Sequence, residues 1–152
     1  ITPKIRVDVS GNIYLNYITK GTIINETNSG LYDIVVAKLD SSGNLIWISQ
    51  NQLYNTNQND INNSMDIDSI GNVYVSYQTS GNIPNKTNKG ESDIVVFKIN
   101  NNGTILWTKQ ESIFNTENND VNPCITVDIY GNSYISYSTN GTIKNNYNAV
   151  NS

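Results

Sequence analysis

Residues 65–79 read Met-Asp-Ile-Asp-Ser-Ile-Gly-Asn-Val-Tyr-Val-Ser-Tyr-Gln-Thr, and the same pattern stands 60 positions earlier at 5–19 and 60 later at 125–139. Within it Asp8, Asp68 and Asp128 share a place, as do Gly11-Asn12, Gly71-Asn72 and Gly131-Asn132. Tyr14, Tyr74 and Tyr134 recur in the same register, followed by Tyr17, Tyr77 and Tyr137 and by Gly21, Gly81 and Gly141. The remainder of the period repeats as well: Asp33-Ile34-Val35-Val36 returns as Asp93-Ile94-Val95-Val96, Lys38 as Lys98, Trp47 as Trp107, and Asn59-Asp60 as Asn119-Asp120. Self-similarity at a fixed spacing marks solenoids, propellers and arrays. The chain therefore reads as repeat 1 over 1–60, repeat 2 over 61–120 and a partial repeat 3 over 121–152.

Each period holds four segments of strand character divided by turn residues. In the middle copy they are Met65 to Ser69, Val73 to Thr79, Asp93 to Ile99 and Ile105 to Lys109. Ile70-Gly71-Asn72 joins the first two and Asn100 to Thr104 the last two, with Gly and Asn where tight hairpins need positive φ. The connections Ser80 to Ser92 and Gln110 to Asn122 are much longer. In an up-and-down meander this alternation gathers every long loop at one end. Four strands per repeat, no helical periodicity, and apolar runs such as Ile94-Val95-Val96-Phe97 that suit sheets covered on both faces predict an all-β fold of β-propeller blades, about two and a half of them.

The run from Asp68 through Gly71-Asn72, Tyr74, Thr79, Asp93, Lys98, Gly103 and Asp120 resembles the bacterial-type β-propeller repeat called SBBP. The resemblance covers nearly the whole chain. It departs from the family pattern at Tyr17, Tyr77 and Tyr137 or their neighbours, where Gly is common, and at Tyr54-Asn55 and Phe114-Asn115, where Gly-Gly is common. It implies a surface or extracellular scaffold and carries over no catalytic residue.

Composition narrows the function classes. A net charge of −4 with 14% charged residues gives no basic footprint for nucleic acid or an anionic membrane. No apolar run approaches the roughly 20 residues that span a bilayer, and no charged-then-apolar leader opens the stretch, so a soluble piece is expected. Without His and with Cys124 alone, zinc clusters, His-dependent triads and an intrachain disulfide are not expected. Asp66 and Asp68, two apart on a strand, have the spacing of a hard-cation pair, but Arg6 and Thr126 replace Asp66 in the other copies, so no metal and no cofactor is expected. Asp8, Asp68 and Asp128 precede Gly-Asn turns, where a carboxylate accepts turn N–H groups. Trp47, Trp107 and the Tyr14 series offer either a stacking platform or, since they recur inside strands, packing between blades; the latter predicts Trp47 and Trp107 in equivalent, largely buried places. Sequons begin at Asn25, Asn62, Asn85, Asn102 and Asn140, and Asn102-Gly103 and Asn140-Gly141 read equally as turn dipeptides.

The long-loop face gathers Tyr54, Asn55, Thr56, Asn59 and Asp60 from one copy and Phe114, Asn115, Thr116, Asn119 and Asp120 from the next. Amide, carboxylate and aromatic groups in repeated shallow sites suit carbohydrate hydroxyls; the alternative is that these side chains hold their own loops. The expected function is a non-catalytic structural or protein-interaction propeller on a cell surface, in secreted material or on a virion exterior, with a lectin-like module as the alternative. Two and a half blades leave faces unpaired, so the partners expected are further repeats or copies of the chain itself, with Ile5, Val7, Ile125 and Val127 at those contacts. The lack of an initiator Met and the third copy's stop after its first half raise the expectation of a longer parent chain.

Overall fold

A computed structural model describes residues 2–143; residues 144–152 of the third repeat lie outside the described residues. Ten strands follow in order: β1 (Lys4–Val7), β2 (Ile13–Thr19), β3 (Asp33–Leu39), β4 (Leu45–Ser49), β5 (Asp60–Ile67), β6 (Val73–Thr79), β7 (Asp93–Ile99), β8 (Ile105–Lys109), β9 (Asp120–Val127) and β10 (Ser133–Thr139). They form antiparallel sheets of order β1-β2-β3-β4, β5-β6-β7-β8 and β10-β9, with no helix among the described residues.

The hairpins between the first two strands of each copy share one local device, which Asp40 repeats between β3 and β4. The Asp68 Oδ1 accepts the N–H groups of Ile70 and Asn72, its Oδ2 accepts the Asn72 amide, and the Gly71 N–H returns to the Asp68 carbonyl. Asp8 and Asp128 do the same for Asn12 and Asn132. Gly71 is required there: its φ is +80° and a Cβ would run into the Tyr14 hydroxyl of the preceding sheet.

The first strand of each later copy starts earlier than the sequence suggests, at Asp60 and Asp120 rather than near Met65 and Ile125. Asn62 and Asn122 both take φ of +55°, and the pairing jumps from Ile61↔Gln78 to Ser64↔Ser76. Asn tolerates the left-handed region, so a bulge carries the strand through what reads as loop.

The sheets pack face to face through two cores. Tyr14, Ile34 and Val36 of the first sheet meet Met65, Val73, Val75, Tyr77, Val95 and Phe97 of the second. Tyr74, Ile94 and Val96 of the second meet Ile125, with Val127, Tyr137 and Phe114 at the margin. Ile125 and Val127 are therefore spent inside the chain, against the preceding sheet, and only Ile5 and Val7 of the four expected contact residues remain exposed. Trp47 and Trp107 occupy equivalent places, yet both are half-buried rather than enclosed, because each lies on the outermost strand of its sheet.

Position-matched residues report what a neighbouring sheet covers. Ile5 is 57% exposed where Met65 is 1% and Ile125 3%; Tyr134 is 55% exposed where Tyr14 is 0% and Tyr74 1%. One face of the first sheet and the opposite face of the third are thus open among the described residues. Contacts between residues 60 apart run along β1, β5 and β9: Arg6 Nε donates to Asp66 Oδ1 at 3.0 Å, the Thr126 hydroxyl to Asp66 Oδ2 at 3.0 Å, and the Asn62 amide to Asn122 Oδ1 at 3.1 Å.

Candidate functional site

The long loops meet at one end of the sheets. Gln50 ties the two loops of the first copy: its Oε1 accepts the Ile23 N–H at 2.8 Å, and its Nε2 donates to the Gly21 carbonyl and to Asp33 Oδ2, both at 2.9 Å. Gln110 repeats this with Ile83, Gly81 and Asp93. Isolated parallel bridges join Tyr32 to Asn59 and Ser92 to Asn119.

The ten residues singled out from the sequence divide into two sets of five, one per loop, and most are buried. Asn55 Oδ1 accepts the Ile34 N–H at 2.7 Å and its Nδ2 donates to the Ile34 carbonyl at 3.0 Å. The amide stands where another residue of β4 would have paired, since that strand's pairing ends at Val36↔Ser49. Asn115 does the same for Ile94. The Tyr54 ring stacks on Phe97 with centroids 4.1 Å apart, its hydroxyl donates to the Ser49 carbonyl at 2.7 Å, and its own carbonyl accepts the Tyr77 hydroxyl. Phe114 holds the matching place, its carbonyl accepting the Tyr137 hydroxyl at 2.5 Å.

Thr56 and Asp60 form a clasp: Asp60 Oδ2 accepts the Thr56 N–H at 2.7 Å and Oδ1 the Thr56 hydroxyl at 2.8 Å, while that hydroxyl also meets Thr79 at 2.9 Å. Thr116, Asp120 and Thr139 repeat it. Burial pushes the Asp60 carboxyl up to about 7, against the pull of these donors and with a further push from the Asp33 charge. Burial raises Asp93 likewise. These carboxylates tie the long loops to the strand ends rather than face solvent. Asn59, Asn119 and Phe114 alone of the ten are half-exposed, and the Asn119 amide donates to Glu91 Oε2 at 2.5 Å.

Asp66 and Asp68, considered as a cation pair, have separate duties. Burial raises the Asp66 carboxyl, but Arg6, the Val127 N–H and the Thr126 hydroxyl outweigh it and hold the group below the usual range. Asp68 caps its turn.

Beside each clasp lies an open groove between consecutive sheets. The first, of about 440 Å³, is lined by Ser29, Gln52, Asn57, Asn82 and Pro84 over a floor of Asn55 and Thr56. The second, of about 620 Å³, has Lys89, Ser112, Glu117 and Thr142 in the matching places over Asn115 and Thr116. The rim therefore changes from neutral to charged between copies while the floor is kept. Recurrence pointed to the floor; the rim residues vary, and no repeat pattern marks them. Compared with known proteins, the chain matches no family model, and no curated protein is detectably similar to it in sequence.

Proposed function

We propose that the chain is a non-catalytic scaffold built from β-propeller blades of the SBBP-like kind, joined through blade faces to further repeats or to copies of itself, and displayed on a cell surface, in secreted material or on a virion exterior. The observation that carries this is the change in burial at matched positions, from Ile5 to Met65 and from Tyr134 to Tyr74, as a neighbouring sheet is added. Covering Ile5 as Met65 is covered contributes about 1–2 kcal/mol, so several such residues together make a stable joint. Propeller geometry is supported by the contacts between residues 60 apart, since points related by rotation lie closest where they are nearest the axis; β1, β5 and β9 would then be the innermost strands. The recurring polar residues tie the long loops to their strands, which suits a structural role.

Sedimentation of the chain over a range of concentrations tests the reading, with Ile5→Lys and Tyr134→Lys on the two open faces. Association that weakens in both variants is expected. A well-folded monomer at every concentration, from a gene of this length, refutes it.

A lectin-like role is the second reading, favoured by the recurring polar grooves. Its test is glycan binding that is lost on Gln52→Ala or Ser112→Ala, rim changes that leave the clasps intact. Equal binding by these variants and the parent removes it.

A further inference from the structure

The joint between the first two sheets includes a docked turn. Asn101, in the hairpin between β7 and β8, reaches back to the first sheet: its carbonyl accepts the Trp47 indole N–H at 3.0 Å and lies 3.5 Å from Lys38 Nζ. Its Oδ1 accepts Lys38 Nζ and stands 3.2 Å from the Tyr14 hydroxyl. Two residues on, Gly103 lies over the Trp47 ring, where even a Cβ would come within 3.1 Å. Tyr14, Lys38 and Trp47 thus make a corner that receives the second hairpin of the next repeat.

The second sheet carries the same corner as Tyr74, Lys98 and Trp107. Lys98 Nζ sits 4.5 Å from the Tyr74 ring centroid, and Tyr74 and Trp107 meet edge to face at 6.3 Å. Among the described residues the Trp107 indole N–H has no hydrogen-bond acceptor. Next to this corner runs the outer edge of β10. Its counterparts pair onward in one register, Ile13↔Leu39 to Thr19↔Asp33 and Val73↔Ile99 to Thr79↔Asp93, whereas β10 pairs only with β9 among the described residues. The chain also leaves β10 as it leaves β2 and β6: the Thr139 hydroxyl accepts the Gly141 N–H at 3.0 Å, as Thr19 does for Gly21 at 2.9 Å and Thr79 for Gly81 at 3.0 Å.

We propose that the β10 edge and the Tyr74–Lys98–Trp107 corner form one acceptor site for a β-hairpin of the repeat's own second-half type: Asp-Ile-Val-Val-x-Lys-aliphatic, a turn with Asn at its second position, then aliphatic-aliphatic-Trp. The inference rests on the scaffold reading and specifies its joint. The incoming strand pairs its Asp with Thr139 and its last aliphatic residue with Ser133, and the turn Asn takes the Trp107 indole N–H and the Lys98 ammonium. The site continues an interface already formed once within the chain. The edge supplies strand hydrogen bonds, which are indifferent to sequence, and the corner supplies selectivity for Asn. A turn like that of the first copy, with Ser41 in this place, provides the backbone acceptor but a shorter side chain.

The test follows hydrogen exchange at the two indole N–H groups, with Trp47 as the covered reference inside the same molecule. The full chain is titrated with a synthetic peptide of residues 91–110. Because a free peptide loses ordering entropy on docking, the segment 84–110 is also joined after Ile143, with Phe in place of its own Trp. Exchange at Trp107 is expected to slow by about tenfold or more, toward the Trp47 rate, in the joined chain. Asn101→Ala in the added segment is expected to return most of that protection. Unchanged Trp107 exchange in the joined chain, or protection indifferent to the Asn, overturns the acceptor. Self-association with Trp107 unprotected removes this site and leaves the scaffold standing, while a chain that neither associates nor accepts the hairpin removes both.

Discussion

Replacing Asn55 by Ala asks whether a buried amide on the long-loop face exists for the fold or for a ligand. The side chain is 3% exposed and holds both backbone groups of Ile34, itself fully buried, at 2.7 and 3.0 Å. Two neutral hydrogen bonds contribute about 0.5–1.5 kcal/mol each, and a buried N–H or C=O left without a partner costs about 1–3 kcal/mol. With partial relief from entering water, the expected loss is about 2–5 kcal/mol. At this chain length about 3 kcal/mol lowers the melting temperature by roughly 6–12 °C, which circular dichroism on heating or urea unfolding resolves. Asn55→Asp sharpens the test. Its carboxylate still accepts the Ile34 N–H but faces the Ile34 carbonyl with a lone pair, so it is unstable at neutral pH; once protonated, it regains a donor. Stability of that variant should therefore rise relative to the parent as pH falls through its carboxyl pKa. A melting temperature unchanged by Asn55→Ala, with glycan binding lost, would refute the structural role and restore the ligand reading.

Two further outcomes follow from the joints. Asp60, raised in the folded state from 3.8 to about 7, binds its proton more tightly folded than unfolded, so its contribution is fully present below about pH 4 and declines as pH rises to about 7, by about 4 kcal/mol in all. Subtracting the unfolding free energy of Asp60→Asn from that of the parent at each pH isolates this slope from carboxyls that shift the other way, such as Asp66; a flat difference contradicts it. Gly43→Ala and Gly71→Ala share a positive φ, but the first has open space around it and the second meets Tyr14. Urea titration should show about 1–2 kcal/mol lost at Gly43 and about 1–3 kcal/mol more at Gly71, and equal losses would mean the sheets do not close at that point.

Much of the fold is legible because its signals are local. The Asp-x-x-Gly-Asn turn closes within five residues, so Asp68 and Gly71 announce a hairpin without reference to any other part of the chain. Strand identity in 73–79 and 93–99 follows from residue type and bounding turns, and the structure starts and ends both strands there. Where Asn62 takes up the left-handed region, the boundary moved, since Asn serves loops and bulges alike.

The candidate site was legible only as a set of residue types. Asn55, Thr56 and Asp60 have the chemistry of a sugar-binding loop and equally of a loop that holds itself. Thr56 and Asp60 hold each other four residues apart, but the other partners are remote: Ile34 lies 21 residues from Asn55 and Thr79 lies 23 from Thr56. The 60-residue period, the strands and the turns were determined by the sequence alone, through turn chemistry and side-chain alternation that each act over a few residues. Which polar groups are spent inside the joints, and which aliphatic positions stay open as Ile5 does while Ile125 is covered, was decided by the tertiary structure, because burial and hydrogen-bond satisfaction depend on what the neighbouring sheet brings.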